Sequence, residues 1–112
     1  MIRARVVLDI EGRILGFDAA GHAERAAHGN DVVCAAFTVL ARTAYRALES
    51  LPGIELKGTA PEPGSLSFEV IKGAASAERA AGITDSLVLG VSDLAREFPD
   101  AVAFSIERDW EE

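Results

Sequence analysis

Residues 30–53 read NDVVCAAFTVLARTAYRALESLPG, and the spacing of their apolar side chains decides the fold class. Val33, Phe37, Leu40, Ala44, Leu48 and Leu51 recur three and four residues apart, which places them on one stripe of a long helix. Asn30 and Asp31 carry side-chain oxygens suited to capping a helix start, and Pro52-Gly53 stops it. The helix is therefore expected to begin at Asp31, within a residue, and to end before Pro52.

Upstream, the period is two. Ile2, Ala4, Val6, Leu8 and Ile10 alternate with Arg3, Arg5, Val7 and Asp9, as in a strand with one buried face. Glu11-Gly12-Arg13 supplies a tight turn, and Ile14 to Ala19 return as the second arm of a hairpin that ends at Gly21-His22. Downstream, Ile54–Lys57 and Leu66–Val70 form a second hairpin around the loop TAPEPGS (59–65). Ser76 is placed to cap a second helix with the stripe Ala80, Ile83, Leu87, Val91, Leu94 and Phe98, ended by Pro99. Gly82 and Gly90 either cost that helix up to about 1 kcal/mol each or allow close helix packing. Val102–Ile106 is a last strand, and Glu107–Glu112 an acidic tail that includes Trp110.

The order is ββαββαβ. Each helix must bury one stripe, so the expected architecture is a single α/β (α+β-like) domain over residues 1–112. A five-stranded mixed sheet would carry both long helices on one face.

A chain of 112 residues can bury a real core without disulfide or metal staples. Its one cysteine cannot form an internal disulfide, which suits a reducing, cytoplasmic setting. No apolar run approaches the roughly 20 residues that cross a bilayer, so no membrane association is expected. The net charge of −7 disfavours direct binding to nucleic-acid backbone and otherwise serves solubility.

The chemistry concentrates in GHAERAAHGNDVVC (21–34), which holds both histidines and the cysteine. Cys34 is expected in the first helical turn, where unpaired N–H groups and the macrodipole favour negative charge and can hold an oxyanion. It shares a helix face with Thr38, Ala41 and Tyr45, not with the core stripe, so its thiol and the Thr38 hydroxyl should look away from the main core. Plain packing is the competing account, because unpaired cysteine is among the most buried residue types. His22 leaves a strand end with ample reach to the helix start, as a base for the thiol or as an idle strand-end histidine. His28 is expected to face solvent. Asp31 either orients the imidazole or caps the helix. Two histidines and one cysteine give three metal donors at most where structural zinc needs four, so no metal is expected, and no nucleotide or phosphate loop points to a cofactor.

Gly21-His22-Ala23 followed by Gly29-x-Asp31-x-Val33-Cys34-Ala35-Ala36 resembles the signature of the ribosomal-processing cysteine protease family, Prp, and the likeness extends over nearly the whole chain. The resemblance implies a bacterial cysteine endopeptidase with a dyad at His22 and Cys34, acting as a homodimer. Its substrate would be the N-terminal extension of a large-subunit ribosomal protein, cut after a pair of aromatic residues. Gly21, Asp31 and Thr38 would support the dyad or the substrate, and Gly21 and Gly29 would hinge a loop over the site. Thr38 stands where the family commonly has serine; it keeps the hydroxyl and stiffens χ1. Phe37 replaces a smaller aliphatic and should enlarge the core contact. The rival readings are a non-enzymatic ribosome-assembly or protein-binding module with the same fold, and a redox-sensing thiol.

Overall fold

Asp9 closes the first hairpin with its side chain. Its Oδ1 accepts hydrogen bonds from the Glu11 N–H at 2.9 Å and the Arg13 N–H at 2.8 Å, and its carboxylate meets Arg13 Nε at 3.2 Å. The strand therefore stops at Asp9, and Ile10, expected to continue the buried set, is 57% exposed. The computed structural model describes residues 1–21, 28–59, 65–72 and 76–109, with the backbone alone at 28–31 and 72. Its elements are β1 (Ile2–Asp9), β2 (Ile14–Ala20), α1 (His28–Glu49), β3 (Glu55–Thr59), β4 (Leu66–Lys72), α2 (Ala77–Glu97) and β5 (Val102–Asp109).

The five strands form one sheet in the order β3-β4-β2-β1-β5, antiparallel except where β1 and β5 run parallel. The predicted mixed sheet with two helices is the observed architecture. Period-two burial sends Ile2, Ala4, Val6 and Leu8 of β1, Phe17 and Ala19 of β2, and Leu66 and Phe68 of β4 to the helical side. There Phe17 stacks between Phe37 and Phe68, at centroid distances of 6.4 and 5.8 Å. Phe37 is thus a fully buried member of the core. On the opposite side, Arg5 reaches Asp18 at 3.4 Å and Glu107 at 3.5 Å; all three are about half exposed, so these pairs contribute at most about 1 kcal/mol each.

The helices depart from expectation in instructive ways. α1 starts at His28, so Asn30 and Asp31 are its third and fourth residues and neither is the cap. A carboxylate suits a first turn as well as a cap because the macrodipole favours negative charge there, and an amide oxygen suits both because it can accept from the unpaired N–H groups. In α2, Ser76 occupies the cap position, yet its hydroxyl donates to the Pro52 carbonyl, tying the start of α2 to the turn after α1. Thr84 is buried in the stripe by donating to the Ala80 carbonyl at 2.7 Å, while Phe98, beyond the helix end, is 40% exposed. The two glycines of α2 separate cleanly. A Cβ on Gly90 would lie 2.9 Å from Leu40 Cδ2, so α1 and α2 pack closely there, whereas a Cβ on Gly82 meets nothing within 4 Å. β5 continues through Asp109, taking up the first half of the expected acidic tail by pairing Glu107, Arg108 and Asp109 with Val7, Leu8 and Asp9. Trp110 lies outside the described residues.

Candidate active site

Cys34 is the seventh residue of α1, not a first-turn residue as the expected helix start implied. With about 1.5 Å of rise per residue it stands about 9 Å along the axis from His28. The amides left unpaired by a helix that starts at His28 are those of its first three residues and the residue before it, so any oxyanion donors drawn from residues 28–30 lie about one to two turns ahead of the thiol.

The thiol sits at the margin of the core. Val33 and Phe37 beside it are fully buried, while Cys34 itself is half-buried and packs against that cluster. Thr38, one turn on, is also half-buried, but Ala41 on the same line is fully buried. The Cys34 face is therefore the edge of the core, not a separate surface. The thiol is thus held against the core without being fully enclosed by it.

Gly21 fixes the approach from β2. Its φ is +104°, a region side-chain-bearing residues rarely adopt, and a Cβ there would stand 2.3 Å from the Met1 carbonyl oxygen. The backbone is thus tightly defined at the residue that precedes His22. His22 lies outside the described residues, as do Ala23 to Ala27. Gly29, expected as a loop hinge, is the second residue of α1; the helix takes over the last part of the expected loop. His28 and Asp31 are placed by backbone in the same first turn, and their side chains lie outside the described residues.

Cys34, Thr38, Arg42 and Arg46 form one ridge of residues four apart along α1. Beside it, Thr38, Arg42 and Leu66 help to line a narrow cleft of about 10 Å³, and Arg42 and Leu66 also line a pocket of about 240 Å³ between α1 and the β3–β4 hairpin. Tyr45 floors that pocket. Its ring lies 5.3 Å from that of Phe68, and a Cβ on Gly58 would come within 2.9 Å of both side chains. Sequence reasoning missed this groove, although the four-residue spacing from Cys34 to Arg46 was there to find one wall of it. Among the described residues no three His, Cys, Asp or Glu side chains are grouped to hold a metal ion, and no helix is long and apolar enough to cross a membrane.

The profile of the family described as cysteine protease Prp matches residues 1–103. The fold is similar to that of SMU.848 from Streptococcus mutans, with a TM-score of 0.80 and 26% identity over 97% of this chain and 96% of that one. It is also similar to the essential ribosomal processing protease Prp from S. aureus in complex with a covalently linked product peptide. That likeness has a TM-score of 0.79 and 17% identity over 96% of this chain and all of that one. The same S. aureus protease in complex with a substrate peptide gives 0.77 and 17% over the same shares. Among curated proteins, none matches the chain significantly.

Proposed function

The chain belongs to the cysteine protease Prp family, and from that premise we propose that it removes the N-terminal extension of a large-subunit ribosomal protein through a dyad of Cys34 and His22. The observation that carries the nucleophile is arithmetic. A cysteine peptidase needs a thiol, and Cys34 is the sole cysteine in 112 residues. Its half-buried place on a rigid helix supports the same reading, because a nucleophile must be held still and yet reached.

In this mechanism the His22 imidazole takes the thiol proton, and the sulfur attacks the scissile carbonyl carbon to form a C–S bond and an oxyanion. Amides of the α1 start hold that oxyanion. The imidazolium then protonates the leaving amine as the C–N bond breaks, which leaves an acyl-enzyme. Water gives a proton to the imidazole and attacks the thioester; the C–S bond breaks and the new carboxylate departs. Covalent attachment of a product peptide in the S. aureus protease supports a covalent route. Asp31 orients the imidazole from the first helical turn. Thr38, four residues from Cys34, steadies the thiol or the bound peptide with its hydroxyl.

A symmetric homodimer covers part of the sheet side that the helices leave open, and the cytoplasm is where the substrate and a reduced thiol coexist. The experiment incubates the chain with the N-terminally extended ribosomal protein of its source organism and reads new N-termini by mass spectrometry. Cys34→Ala, Cys34→Ser and His22→Ala abolish the cut while the thermal melt is retained, and His28→Ala does not abolish it. Unchanged cleavage by Cys34→Ala would remove the nucleophile assignment, and a stable complex with no new N-terminus would favour the binding module instead.

A further inference from the structure

We propose that the pocket between α1 and the β3–β4 hairpin is a substrate subsite that selects an acidic side chain four or five residues from the scissile bond; this rests on Cys34 being the nucleophile. Three observations converge on it. First, the pocket lies along the same ridge of α1 as the thiol, with Arg42 and Arg46 among its lining residues. The cleft that Thr38 lines shares Arg42 and Leu66 with the larger pocket, so the two lie side by side along α1, from one turn beyond Cys34 to Arg46.

Second, the distances match an extended peptide. Arg42 lies eight residues and Arg46 twelve residues beyond Cys34, about 12 and 18 Å along the axis. A peptide rising about 3.3 Å per residue brings its fourth or fifth residue from the cut between those two positions.

Third, the chemistry of the walls is specific. Arg42 and Arg46 are both exposed on the rim, and among the described residues neither has an ion-pair partner, although the chain carries a net charge of −7. The ion pairs of the described residues engage Arg5, Arg13 and Arg96 instead. Two guanidiniums above an aromatic floor offer forked donors to a carboxylate and an apolar surface for its methylene stem. The volume of about 240 Å³ accommodates such a side chain with several waters, at about 30 Å³ for each water. The floor is itself fixed, because Tyr45 occupies the space that any side chain at position 58 would need.

The test uses fluorogenic peptides centred on a pair of aromatic residues, in which Glu, Gln or Lys is walked through the third to sixth flanking positions on either side. The full-length chain cuts the Glu peptide of one register, at the fourth or fifth position, with kcat/KM about ten-fold above its Lys counterpart, the Gln peptide falling between. In the exposed-residue variant Arg42→Glu/Arg46→Glu the order reverses, and the single variants Arg42→Gln and Arg46→Gln each narrow the preference. Equal rates for Glu and Lys at every position overturn the subsite and leave the protease reading standing. A wild-type chain that leaves every peptide intact counts against the protease reading alone. Fluorescence anisotropy of labelled Glu and Lys peptides on the same chain then decides the pocket, with tighter Glu binding that the double variant loses in its favour and equal binding against it.

Discussion

Gly21→Ala perturbs the junction between β2 and the residue that carries the proposed base. The new methyl forces a side-chain-bearing residue to hold a φ of +104°, a penalty on the order of 1–3 kcal/mol. It also stands 2.3 Å from the Met1 carbonyl oxygen, where ordinary contact begins at 3.4 Å, so about 1 Å of displacement is required. The opposing atom is backbone, and no rotamer change relieves the clash. Movement of Met1 is resisted in turn by Ile2, which is fully buried and donates its N–H to the Ala101 carbonyl at 2.8 Å. The combined cost is about 2–4 kcal/mol. For a domain of this size that corresponds to a Tm lower by about 8–16 °C. Differential scanning calorimetry measures it, with Gly82→Ala as the control: nothing lies within 4 Å of a Cβ there, and the gain in helix propensity raises Tm by about 4 °C. Cleavage should fall further than stability explains, about a hundred-fold at a temperature where both chains are folded, because His22 follows Gly21 directly. A Gly21→Ala chain that melts within about 2 °C of the wild type would refute the reasoning.

Asp9→Ala leaves the Glu11 and Arg13 amides without their acceptor in the first hairpin and costs about 2–3 kcal/mol in urea denaturation, with Asp9→Asn recovering part of it. At Gly90 two effects oppose one another. Ala gains about 1 kcal/mol of helix propensity, and the Leu40 side chain, met by its flexible end, turns aside, so Gly90→Ala is near neutral. Gly90→Val overfills the same space and loses about 1–3 kcal/mol in the same measurement.

The period-two and helical stripes were legible because burial on one face writes directly into the order of residues. The start of α1 was less so, since Asn30 and Asp31 satisfy a cap and a first turn with the same local chemistry, and only the path of the preceding segment chooses between them. Thr84 hides in the core because its hydroxyl returns to its own helix, which removes the polar signal that spacing arguments rely on. The extension of β5 into an acidic stretch depends on β1 being alongside, a partner about a hundred positions away that no local pattern announces. The same division holds at the site. Cys34 was found from its chemistry, whereas the groove beyond Thr38 exists only because β3 and β4 bring Gly58 and Leu66 against α1.

The parallel pairing of β1 with β5 makes the first strand of this sheet wait for the fifth. Until residues 102–109 have emerged, one flank of β1 offers unsatisfied amides and carbonyls beside fully buried Ile2 and Val6. A chain stalled or truncated before that point bears an adhesive border instead of a finished sheet. Maturation of this hydrolase is thereby coupled to the emergence of residues 102–109.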